Sequence, residues 1–130
     1  MLMRLSLALL FSFAACGGSG SNSPDASGQS DAAAATVIAV TCPATVPLTV
    51  DAPDTDLRFV FTPSNSPLPV GSIVKFTMHN DHNVAPSLTG PTDPGLMVNF
   101  NETKCLMFTH TGTFGFRCVP HGFTGTITIQ

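Results

Sequence analysis

The sequence predicts an all-β domain, a sandwich or barrel of short antiparallel strands. Three observations carry that reading. Seven segments between Thr36 and Gln130 are short, rich in β-branched or aromatic residues, and separated by Gly, Pro, Asn and Asp. The clearest of them alternate apolar and polar residues with period two. Over the same range no apolar stripe recurs at helical spacing, and no internal repeat is visible.

In order, the predicted strands are TVIAVTC, VPLTV, LRFVFTP, SIVKFTM, CLMFTH, GTFGFRC and GTITIQ. In SIVKFTM, Val74, Phe76 and Met78 share one face, and Lys75 and Thr77 take the other. In the closing segment Ile127 and Ile129 alternate with Thr126, Thr128 and Gln130, the pattern of a half-buried strand. The least regular stretch, Asn83 to Glu102, holds Pro86, Pro91 and Pro94 and reads as a long connection with one short strand around LMVNF. Trp and Tyr are absent, so the ten phenylalanines must supply the aromatic core.

The 130 residues suffice for one domain, and the chain does not open as one. Residues 1–15 carry a single basic residue, Arg4, then a largely apolar run from Leu5 to Ala15. That run is too short to span a bilayer and reads as an export signal. Ala14 and Ala15 directly before Cys16 resemble the lipobox of bacterial lipoproteins, which implies cleavage before Cys16 and lipidation of its thiol. An ordinary signal peptide cut slightly later is the alternative. Residues 16–35, rich in Gly, Ser, Ala and Asp, have no large apolar side chain and read as a flexible tether. The folded domain is then 36–130.

Of five basic residues only Arg4 precedes Cys16, which leaves four against eight acidic ones. This mild negative balance gives no support to nucleic-acid binding, which needs a basic patch. Export places the domain where disulfides persist. The cysteines are Cys16, Cys42, Cys105 and Cys118; with Cys16 lipidated, three remain, and three cannot all pair within one chain.

The period-two phase puts Phe114, Phe116 and Cys118 on one face, so an inward Phe116 implies an inward sulfur at the strand's end. His121 follows on a loop shaped by Pro120 and Gly122. A soft sulfur with imidazoles suits copper or zinc. Alone, a Cys-x-x-His pair is equally compatible with a disulfided cysteine beside an incidental histidine. A third donor would have to come from elsewhere, and His82, in the polar turn MHNDHNVAPS, is the candidate.

Here the residues resemble the small blue copper proteins, the plastocyanin and amicyanin branch of the cupredoxins. Their histidine followed by Asn-Val is matched by His82-Asn83-Val84, and their Cys-x-Pro-His by Cys118-Val119-Pro120-His121. GTFGFRC and GTITI resemble the family's last two strands. The resemblance implies a Greek-key β-sandwich holding one type 1 copper ion, with His82, Cys118 and His121 as equatorial ligands. It implies that Asn83 ties the two ligand loops together, and that Pro120, lacking an N–H, removes one donor to the sulfur. The family's axial methionine has no counterpart: Phe123 or Thr124 takes its place, depending on how the loop is aligned. The favoured expectation is a nearly trigonal site with Phe123 packed at the vacant position, which raises the potential. Met78, Met97 or Met107 would be the remote substitutes. Zinc is the next reading, but closed structural zinc takes four ligands.

With Cys118 given to the ion, Cys42 and Cys105 are left to pair; the competing bridge, Cys105 to Cys118, would destroy the site. His79 and His110 read as ordinary strand-end residues. No catalytic set is visible, so no enzymatic activity is expected. The expected function is a monomeric, membrane-anchored carrier of single electrons in the cell envelope. A redox partner would dock near His121, on an apolar face that includes Pro120, Gly122, Phe123, Val84 and Pro86. A copper-binding or delivery protein without an electron-transfer role is the alternative.

Overall fold

The computed structural model describes residues 35–53 and 60–130. Eight strands form: β1 (Val37–Val40), β2 (Leu48–Ala52), β3 (Asn65–Leu68), β4 (Ile73–Met78), β5 (Ala85–Pro86), β6 (Thr103–Phe108), β7 (Gly112–Arg117) and β8 (Thr124–Ile129). They make two four-stranded sheets, ordered β1-β6-β4-β2 and β3-β8-β7-β5. The all-β sandwich is as expected, and no helix occurs among the described residues.

The pairing is not wholly antiparallel. β2 runs parallel to β4, and β3 runs parallel to β8. Parallel neighbours cannot be joined by a hairpin, so long crossovers separate them in sequence, and local alternation carries no trace of their direction.

Alternation does set which side chains are buried. Val74, Phe76 and Met78 of β4, Phe114 and Phe116 of β7, and Ile127 and Ile129 of β8 all face the core. The inner faces meet over phenylalanines packed edge-on, an arrangement that ring quadrupoles favour. Phe116 lies 4.7 Å from Phe61 and 5.5 Å from Phe76, centroid to centroid. Phe116 also lies directly over Gly125, its register partner in β8. A Cβ at Gly125 would come within 2.4 Å of the Phe116 ring, so the glycine is what lets that ring lie flat on the neighbouring strand.

Cys42 and Cys105 are bonded, with Cα atoms 5.2 Å apart, and the bridge fastens the segment after β1 to β6. Cys105 sits on the outer face of its sheet opposite Lys75, which is why β6 buries two successive residues, Cys105 and Leu106.

Three strand assignments change. In LRFVFTP, Leu57, Arg58 and Phe59 lie outside the described residues; the rest forms only a bridge from Thr62 to Asp51, with Phe61 buried. β3, unanticipated, is the segment Asn-Ser-Pro-Leu, whose residues favour turns. It pairs on one side only, and an edge position tolerates Pro67. LMVNF is no strand: Val98 makes an isolated bridge to Val84, and the short strand of that connection is β5.

Candidate metal centre

β4 delivers the first donor. The strand ends at Met78, and the turn that follows is closed by the His82 N–H donating to the His79 carbonyl at 3.2 Å. This brings His82 back under the pole of the sandwich, where it is 3% exposed. β7, in the opposite sheet, delivers the second. Cys118 continues the inward phase of Phe114 and Phe116 and is fully buried.

The loop from Cys118 to Phe123 delivers the third donor and is stitched shut at both ends. The Cys118 N–H donates to the Phe123 carbonyl at 2.9 Å, and the Gly122 N–H donates to the Cys118 carbonyl at 2.9 Å. Gly122 has φ +73°, a left-handed conformation that glycine adopts without a Cβ clash. The tight turn folds His121 back over the sulfur that begins it.

The result is a compact trio. Cys118 Sγ lies 3.8 Å from His82 Nδ1 and 3.8 Å from His121 Nδ1. The three donor atoms fall within 4.8 Å of one another. Ligand bonds of about 2.0–2.3 Å to a common ion would set sulfur and nitrogen about 3.6–3.8 Å apart. The donors are therefore spaced as if around one ion, and no carboxylate joins the group among the described residues.

Two further contacts frame the sulfur. The Val119 N–H donates to Asn83 Oδ1 at 2.8 Å, which joins the loop carrying His82 to the loop carrying Cys118 and His121. The Asp81 carbonyl oxygen lies 4.0 Å from Sγ, a neighbour outside the ligand motifs. Its only sequence signal is adjacency to His82.

Phe123 is half-buried against both imidazoles. Its ring stands edge-on to His82 at 5.3 Å and nearly parallel to His121 at 6.3 Å, with an interplanar angle of 12°. Beneath it lies Phe61, 4.6 Å away, a residue the sequence marks only as aromatic core. Thr124 is exposed at the start of β8, and Pro120 is exposed at the loop's tip. Met78 is in the core. Met107 lies between Ile38 and Ile73 at the far end of its sheet.

His79 and His110 stand outside the trio. His79 pairs with Asp51 at 3.2 Å, and His110 contacts Thr109 Oγ1 at 2.9 Å in the β6–β7 turn, at the other end of the sandwich.

No protein-family model matches the chain, and no curated protein does. Solved structures do. The amicyanin of Paracoccus versutus superposes over 74% of this chain and 99% of its own, with a TM-score of 0.53 at 14% identity. The plastocyanin of the fern Dryopteris crassirhizoma covers 63% of this chain and 99% of its own, with a TM-score of 0.52 at 22% identity. The pseudoazurin of Methylobacterium extorquens gives a TM-score of 0.53 at 23% identity, over 63% of this chain and 73% of its own. The chain has the cupredoxin fold. A mutant amicyanin among these structures was solved in its Cu(I) form.

Within this cupredoxin fold the apolar surface at the His121 pole differs from the one expected. Val84 is 1% exposed: its bridge to Val98 turns it into the core, so it cannot contribute to a docking face. Pro86 is half-buried in β5. Among the described residues, Val119, Pro120 and Phe100 are exposed there, and Phe100 reaches the pole from the turn before β6.

Proposed function

We propose that this protein is a type 1 copper protein that carries single electrons in the cell envelope. The observation that carries the reading is the placement of one buried sulfur 3.8 Å from each of two imidazole nitrogens. A thiolate with two imidazoles is a donor set for copper or zinc. Among the described residues no fourth cysteine or histidine joins the three donors, which departs from the closed tetrahedral shell of structural zinc.

A copper ion held there would supply a reversible one-electron change of oxidation state. The chain's contribution is to hold the donors still through that change. His82 lies three residues before β5 and Cys118 follows β7 directly; β5 pairs with β7, Ala85 opposite Arg117, so that ladder sets their separation. Asn83 locks the two loops, and the paired hydrogen bonds of Cys118 fix the turn bearing His121. Phe123 fills the space beside both imidazoles with apolar surface, so a copper ion held there would receive no thioether from this residue and would favour the lower oxidation state. His121 is exposed where the other two donors are buried, which makes it the natural point of electron entry and exit.

Residues 1–15 would be the export signal, Cys16 the lipidated anchor and residues 16–35 the tether to the domain at 36–130. β1 begins at Val37 opposite Phe108, at the end of the sandwich away from Cys118.

Copper-loaded protein should show an intense visible thiolate-to-copper band and a narrow hyperfine splitting in electron paramagnetic resonance. Cys118→Ser should abolish both, and an unchanged band in that variant would refute the assignment. Radiolabelled fatty acid should enter the exported protein and be lost in Cys16→Ser.

A further inference from the structure

Beside His121 the surface is not flat. A cleft of about 310 Å³ opens there, lined by Asn80, Asp81, Phe100, Pro120 and His121. Three separate loops build it: the turn after β4, the turn before β6 and the loop after β7. The second is brought in by Asn101, which adopts φ 55° and whose N–H reaches the His79 carbonyl at 3.4 Å. A left-handed residue at that point sends the preceding Phe100 out to the pole, where it is 46% exposed.

The lining has a definite chemistry. Phe100 forms one wall, the carboxylate-bearing Asp81 another, and the rest is amide, proline and imidazole. No lysine or arginine lines it. A carboxylate and an exposed aromatic ring on the same small cleft suit a single cationic group. The ring quadrupole attracts the cation's charge, and the carboxylate accepts its hydrogen bonds. A planar guanidinium uses both walls better than an ammonium does, because it can stack and donate in a fork at once. Neutral apolar occupants would leave Asp81 poorly solvated, and anionic ones would be repelled.

We infer that this cleft receives an arginine side chain of the redox partner, clamped between Phe100 and Asp81. The inference rests on the electron-carrier reading and specifies the partner's contact chemistry. An arginine seated there brings the partner's adjoining surface against His121 and fixes its orientation. Charges at the edge of such a contact act mainly on association and its salt dependence.

The test is a nuclear magnetic resonance titration of the full chain as purified, with ascorbate keeping any bound copper diamagnetic. The probe is the capped tripeptide acetyl-Gly-Arg-Gly-amide, and the control is the same peptide with neutral citrulline. The arginine peptide should shift the amide signals of Asn80, Asp81 and Phe100, more weakly as salt is raised. Asp81→Asn should weaken it about twofold to fivefold, the range of one exposed ion pair. Phe100→Leu should do the same through the lost ring. Equal shifts from the citrulline peptide, shifts centred away from the cleft, or full binding by Asp81→Asn would each overturn the inference. Because the binding readout does not depend on copper, a missing visible band counts against the electron-carrier reading alone.

Discussion

Asn83 Oδ1 accepts the Val119 N–H at 2.8 Å, and this single bond spans the two loops that hold all three donors. Asn83→Ala removes the acceptor and leaves a partly exposed N–H to water. The expected loss is about 0.5–1.5 kcal/mol of stability, the net worth of one such bond. Urea unfolding of the metal-free variant measures it. The copper form should also release its metal faster to a chelator, because the separation of the two loops is no longer pinned.

Phe123 packs beside both imidazoles of the trio. Phe123→Met exchanges one large apolar side chain for another, so the fold should lose less than about 1.5 kcal/mol. The redox potential of the copper form should fall, since a soft axial donor stabilises the oxidised ion. Voltammetry reads the potential, and the electron paramagnetic spectrum reads the added donor. A potential unchanged within error would show that the methionine sulfur does not reach the metal.

The Cys42–Cys105 bridge closes a loop with a sequence separation of 63. On the chain-entropy account, removing it costs about 4 kcal/mol. The double variant Cys42→Ala/Cys105→Ala should therefore melt well below the parent. It should still develop the visible copper band at low temperature, because neither sulfur belongs to the trio. A band lost along with the bridge would show that the disulfide positions the site.

Asp93 ties the start of β1 to the connection before β6. Its carboxylate accepts from the Thr36 N–H at 2.7 Å, the Thr36 hydroxyl at 2.8 Å and the Gly95 N–H at 2.7 Å. Burial by itself would raise the pKa, and the hydrogen bonds outweigh it, holding the carboxyl below its ordinary 3.8. A folded pKa below the unfolded one stabilises the protein above the unfolded value. That stabilisation is lost as the pH falls from about 4 through the folded value. Asp93→Asn should lower stability at neutral pH and flatten the acid limb of the stability profile, measured by denaturant unfolding between pH 2 and 7. An acid limb of the same slope in the variant would assign the loss to other carboxylates.

Much of this architecture is legible in the residues because a strand has a period of two. Once Phe114 and Phe116 face the core, Cys118 must face it too, and the structure buries all three. Chain conformation at Gly122 and the run of alternating residues in β4 and β8 follow from equally local rules. Val84 shows where such rules stop. It follows His82 and Asn83 in the motif, yet its bridge to Val98 decides that it lies in the core.

β3 marks the same boundary from the other side. Asn-Ser-Pro-Leu has the composition of a turn, and only the neighbouring edge of β8 makes it a strand. The trio itself is tertiary in origin. His82 and Cys118 are 36 positions apart, one in the turn before β5 and the other just past β7, so the order of residues names the donors but not their distance. The pairing of β5 with β7 supplies that distance, because Ala85 opposite Arg117 brings the turn that holds His82 beside the loop that begins at Cys118. The cleft beside His121 is decided in the same way, by three loops that meet only after the sheets have packed.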